Sequence, residues 1–137
     1  MNDALHNLVR EWIEKAESDW KIAWHDIQTD DPTPDMVCFH MQQCVEKYLK
    51  AFLVLHQLSF RRTHDIAELI EGCAEVDPEF NTLYQVEADS LSFYGVEIRY
   101  PSFIPKPSLA DAQRCNQIAQ AVRAFGIEKL RQGGMQI

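Results

Sequence analysis

The sequence predicts an all-α protein, an antiparallel up-and-down bundle of about five helices resembling a four-helix bundle, in one domain over residues 1–137. Two observations carry this. Apolar residues recur at three- and four-residue intervals through most of the chain, the period of a helix with one buried face. No run pairs strand-like alternation with a second run to bond to. A chain of 137 residues is also long enough to close one core without disulfide or metal staples.

The first helix is expected over residues 4–28, where Leu5, Leu8, Val9, Trp12, Ile13, Ala16, Trp20, Ala23, Trp24 and Ile27 keep the three-four rhythm. All three tryptophans lie on that stripe and are expected to pack in the core. Thr33 followed by Pro34 reads as an N-cap with proline at the first helical position. The central helix then runs to about His56, with Val37, Met41, Cys44, Val45, Tyr48, Ala51, Phe52 and Leu55 on its apolar face. Its other face carries His40, Gln42, Gln43, Glu46, Lys47 and Lys50, interrupted by Phe39, Leu53 and Val54. Apolar groups of that size on a polar face predict a further partner, from this chain or a second copy.

A short third helix is expected to open on Asp65-Ile66-Ala67-Glu68, a capping box with His64 at its entrance. Asp77-Pro78 repeats the cap-then-proline signal and predicts a fourth helix over about 78–92. Pro101, Pro105 and Pro107 make residues 93–107 an ordered loop. Ser108 caps a last helix bearing Leu109, Ala112, Cys115, Ile118, Ala119, Val122, Phe125 and Leu130, before Gly133-Gly134 releases a tail.

Charge and cysteine usage narrow the function. A net charge of −8, concentrated in residues 1–35, excludes a protein that coats nucleic acid with its whole surface. Lys47, Lys50, Arg61, Arg62, Arg99 and Lys106 leave room for a local cationic patch. Cys38, Cys44, Cys73 and Cys115 have no Cys-x-x-Cys spacing and are expected to be buried thiols, with no metal or cofactor implied. No basic region followed by an apolar run opens the chain, and no stretch is apolar enough to span a bilayer, so a cytoplasmic protein with no membrane role is expected. Glu-x-x-His pairs, Gly-x-Ser-x-Gly and phosphate-cradling glycine loops are all missing, which removes di-iron proteins, serine hydrolases and P-loop enzymes.

Three polar clusters remain, each tied to an element end: Gln42-Gln43 with Glu46-Lys47 and Lys50, then Thr63-His64-Asp65, then Arg99-Tyr100-Pro101. Lys47 and Lys50 share a helical face, Arg99 suits bidentate phosphate binding, and Tyr100 can stack on a base. The same arginine can equally pin its loop to Glu46 or Asp65. In their order and placement these clusters resemble the HEPN family of small helical bundles, over about residues 8–131. The resemblance implies a homodimer, a small nucleotidyltransferase as partner, often in a toxin–antitoxin pair, and a nucleotide or RNA ligand. It points to Gln43, Glu46, Lys47, Lys50, His64, Asp65, Arg99 and Tyr100 as the ligand-binding set.

Many family members are ribonucleases that use an arginine followed, four to six residues on, by histidine. No arginine here has that spacing: Arg61 and Arg62 stand too close to His64, and no histidine follows it. The expectation is therefore a dimeric binding or regulatory module and not an enzyme, with no catalytic residue assigned. The alternatives are a ribonuclease toxin with atypical catalytic residues, His64 with Arg61 or Arg62, and a purely structural dimeric scaffold.

Overall fold

The computed structural model describes residues 3–95, 101 and 105–137. Among them are four α-helices, α1 (Asp3–Ile27), α2 (Pro34–Leu55), α3 (Ile66–Val76) and α4 (Leu109–Gln132). Two 3₁₀ helices, Pro78–Val86 and Ala88–Tyr94, lie between α3 and α4, and no strand occurs among the described residues. The expected fourth α-helix is thus a pair of 3₁₀ segments. They are divided at Glu87, whose φ of 59° takes the left-handed conformation that no helix continues through.

Helix starts follow the sequence signals, with changes of partner at α2 and α3. Pro34 opens α2 and Thr33 precedes it, but the Thr33 side chain makes no cap bond. Asp26 near the end of α1 holds Thr33 instead, accepting its backbone N–H at 2.7 Å and its hydroxyl at 3.3 Å. At α3 the Asp65 carboxylate accepts from the Glu68 N–H as expected. The return half of that box is not made, because Thr63 takes the Asp65 N–H and Glu68 turns to Arg61. Ser108 and Asp111 form the complete reciprocal box at α4. Beyond α4 the tail is not released: Met135 returns its N–H to the Leu130 carbonyl and is buried.

Helix α2 is the axis of the fold, packing against α1, α3, α4 and the second 3₁₀ helix. All eight residues of its expected apolar stripe are buried, and so are Cys38, Gln42, Glu46, Leu49, Lys50 and Leu53. A helix enclosed on every side must bury its polar residues too, so the face expected to meet solvent or a second copy is largely interior. Leu53 in particular is covered by Gly72 of α3, so its partner comes from this chain and not from a second copy. Phe39 and Val54 are half-buried. On α1 the stripe is less complete than expected, since Leu8 and Trp24 are exposed, Trp24 stacking on Trp20 with ring centroids 5.7 Å apart. All four cysteines are buried free thiols, as expected, and burial raises the pKa values of Cys44 and Cys73.

Candidate functional site

The polar residues of α2 divide into two groups by the neighbour each faces. Gln42, Glu46 and Lys50 are four residues apart and form a seam along one side of the helix. Glu46, only 4% exposed, organises it. Its Oε1 accepts from Gln42 Nε2 at 3.0 Å and lies 2.8 Å from His64 Nδ1, while Oε2 accepts from Lys50 Nζ at 3.0 Å. A carboxylate only accepts, so this contact assigns the proton to Nδ1 and leaves Nε2 of the half-exposed His64 ring facing outward. The Lys50 ammonium is closed in by the rings of Trp12 and Phe60, at 5.9 and 5.7 Å from their centroids. Gln42 also donates to the His64 carbonyl at 3.4 Å and accepts from Gln43 at 2.7 Å.

Lys47 and His40 point the other way, to α1. Both reach Asp19, Lys47 Nζ at 2.5 Å and His40 Nδ1 at 2.8 Å. Lys47 and Lys50 therefore do not converge on a shared anion; each is turned to its own carboxylate. A third cluster ties α1, α2 and α4 together: Glu17 accepts from Tyr48 at 2.7 Å and from two nitrogens of Arg123 at 2.7 and 2.6 Å. The Arg123 guanidinium lowers the Glu17 pKa, against the opposing push of burial.

Of the expected ligand-binding set, the structure brings Glu46, Lys50 and His64 into direct contact and places Gln43 one bond away through Gln42. Lys47 stands apart on Asp19, and Asp65 is occupied as the N-cap of α3. Arg99 and Tyr100 lie outside the described residues. The two carboxylates expected to receive Arg99 are already engaged, Glu46 by three donors and Asp65 by the Glu68 N–H.

Sequence patterns missed two parts of this arrangement. Asp19 carries a signal in hindsight, because it falls between Ala16 and Ala23 on the buried stripe of α1, where an acid needs an internal partner. Gly95 carries none, since its φ of −72° is open to any residue. What it requires is space: a Cβ there would stand 3.0 Å from Gln42 Nε2 and 3.2 Å from His64 Cβ. The end of the second 3₁₀ helix thus closes directly over the seam.

Two hollows flank these groups. One of about 630 Å³ is lined by Leu8, Glu11, Trp12, Glu14 and Lys15 of α1 with Lys47 of α2. Another of about 430 Å³ lies between the 57–62 connection and α3. Among the described residues no group of three His, Cys, Asp or Glu is placed to hold a metal, and no helix is long and apolar enough to cross a membrane.

A helical bundle whose central helix carries the Gln42–Glu46–Lys50 seam in contact with His64 just before α3 fits the HEPN resemblance. The family model for the HEPN domain matches residues 9–130, and the chain belongs to that family. Two solved structures share the fold. TT1696 from Thermus thermophilus aligns with a TM-score of 0.73 at 27% identity, over 88% of this chain and 97% of its own. ST0689, described as an archaeal HEPN homologue, aligns with a TM-score of 0.68 at 24% identity, over 88% and 96%. No curated protein matches the sequence.

Proposed function

We propose that this HEPN protein is a non-catalytic binding module that works as a homodimer with a small nucleotidyltransferase as partner, one half of a toxin–antitoxin pair. One observation carries the non-catalytic part: the charged groups of the α2 motif are consumed inside the fold. Glu46 is saturated by Gln42, His64 and Lys50, and Lys47 is held by Asp19. A general acid or base must exchange a proton with a substrate within hydrogen-bond reach. Only His64 of this set is half open, and Arg61, three residues before it, forks onto Glu68.

The dimer finds support on α1. Leu8 and Ile22 are 45% and 52% exposed, and their spacing puts them within about 40° of each other on one helical face. Large apolar groups aligned on one open face favour coverage by a second copy. Light scattering of the full chain should give the mass of two protomers, reduced to one by Ile22→Glu. Incubation with single-stranded RNA should leave it intact. Cleavage that His64→Ala abolishes would overturn the proposal in favour of the ribonuclease.

A nucleotide ligand is the second reading, favoured by the hollow at Trp12, Lys15 and Lys47. Its volume suits a small molecule, Trp12 supplies a ring, and Lys15 supplies an ammonium group for phosphate, while Lys47 stays on Asp19. Thermal melts against a panel of nucleoside mono-, di- and triphosphates test it; no shift with any of them removes the nucleotide from the proposal.

A further inference from the structure

The hollow between α3 and the connection that precedes it has a division of chemistry that the HEPN motif does not account for. Its open apolar lining is the half-buried Leu58 and Phe60, set above Leu53 and Leu69, which the core encloses. Its α3 rim is acidic, made by Glu68, Glu71 and Glu75. Arg61 from the opposite side answers only Glu68, which it grips at 2.8 and 3.0 Å. Glu71 and Glu75 are exposed, and among the described residues neither has a cationic partner. They stand one turn apart, so their side chains sit about 5 to 6 Å from each other on one face, an arrangement that weakens a helix by like-charge repulsion.

Gly72 lies between them and is the second oddity. A glycine in a helix interior is disfavoured, and this one is half-buried with its open side toward the hollow and its other side against Leu53. A Cβ would stand 3.3 Å from a Leu53 methyl, so any longer side chain must turn outward into the hollow. The absent side chain keeps a cleft of about 430 Å³ open above Leu53.

We infer that this cleft docks a basic, amphipathic segment of a partner protein, with one apolar side chain over Gly72 and two lysines or arginines, a helical turn apart, on Glu71 and Glu75. Charge complementarity selects this occupant: an apolar lining beside two unanswered carboxylates repels an anionic segment and nucleic acid alike, and gives a purely apolar one no partner for its rim. The inference deepens the binding-module proposal and rests on it.

The test is a titration of the full-length protein into fluorescein-labelled acetyl-KLLAKL-amide, followed by anisotropy, with acetyl-ELLAEL-amide as the charge-reversed control. The basic peptide should bind and the acidic one should not. The double variant Glu71→Gln/Glu75→Gln should weaken binding by about tenfold, the loss expected of two solvent-exposed ion pairs. Asp30→Asn/Asp31→Asn, which makes the same charge change in the connection between α1 and α2, should leave binding as it is. Gly72→Leu, its folding checked by circular dichroism, should abolish binding while keeping both carboxylates. No binding, equal binding of the two peptides, or equal losses from the two double variants would overturn the inference. Spermidine competing as well as the peptide would also overturn it, assigning the rim to a polyamine. RNA that stays uncleaved while the peptide fails to bind rejects the cleft and leaves the non-catalytic proposal standing.

Discussion

Substituting Glu46 tests whether the seam along α2 is a structural device. Its carboxylate accepts from Gln42, His64 and Lys50, and both members of the Glu46–Lys50 pair are nearly enclosed, at 4% and 7% exposure. In Glu46→Leu the Lys50 ammonium remains between the rings of Trp12 and Phe60 with no counter-charge. Ring faces at those distances return about 1 to 2 kcal/mol to a desolvated cation, less than the loss. Breaking a buried pair by removing one partner costs about 3–5 kcal/mol, and the same is expected here. Lys50→Met should cost less, about 1–3 kcal/mol, because Glu46 keeps Gln42 and His64. Removing both charges should recover most of the Glu46→Leu loss, so the double-mutant cycle should show a coupling of at least about 2.5 kcal/mol. Urea unfolding at pH 7, followed by tryptophan fluorescence, supplies all four stabilities. A Glu46→Leu loss below about 1 kcal/mol, or single losses that add without coupling, would refute the reasoning.

The other predictions concern the ends and ties of the bundle. Arg123→Met should lower stability at pH 7 by about 1 kcal/mol, since the Glu17 pair is partly exposed. Arg123 depresses the folded-state pKa of Glu17, so that stability is present above the ordinary 4.5 and lost as pH falls through the folded value; urea midpoints of wild type and variant should converge as pH falls below 4.5. His56, packed on Phe52, behaves oppositely to a histidine gaining a partner: burial, offset in part by Asp77, lowers its pKa below 6.5. The unfolded chain then binds the proton more readily, so His56→Phe should remove a loss of stability that sets in as pH falls below about 6.5, measured by melts from pH 7.5 to 5. Ser108→Ala deletes one half of the α4 capping box and should cost about 1 kcal/mol in urea unfolding, with no cost showing that Asp111 caps alone.

The bundle was legible because its helices announce themselves by period and by caps. Pro34, Asp65 and Ser108 each stand where a helix starts, and every residue of the α2 stripe is buried. The 3₁₀ pair was not legible, since Phe80, Leu83 and Leu91 repeat with spacings that both helix types accept and Glu87 gives no residue-type signal for a left-handed turn. At the site, sequence placed Gln42, Glu46, Lys47 and Lys50 on one polar face and took that polarity for exposure, whereas Gln42, Glu46 and Lys50 are buried in the seam and Lys47 turns to Asp19. Polar type reports burial poorly when an internal partner exists, and those partners, Asp19 on α1 and His64 before α3, are distant in the chain.

The burial of this seam also explains how one helix controls the parts of the chain that carry sequence-distant motifs. Gln42 and Glu46 hold the backbone carbonyl and the ring of His64, which fixes the connection from α2 to α3. Gly95 closes on Gln42 and on His64 Cβ, so the end of the second 3₁₀ helix meets the same point. Gly95→Ala should therefore act on the seam and not on backbone conformation. The added methyl would meet Gln42 Nε2 at 3.0 Å, and that amide is fully buried and tied to Glu46, so it has nowhere to move. Overpacking of this kind costs about 1–3 kcal/mol. Part of the loss should vanish in the Gln42→Ala background, where the obstructing amide is gone, and thermal melts of the two singles and the double read this directly. Equal losses from Gly95→Ala with and without Gln42 would mean that the glycine serves the 3₁₀ helix alone, and that its packing on the seam carries no weight.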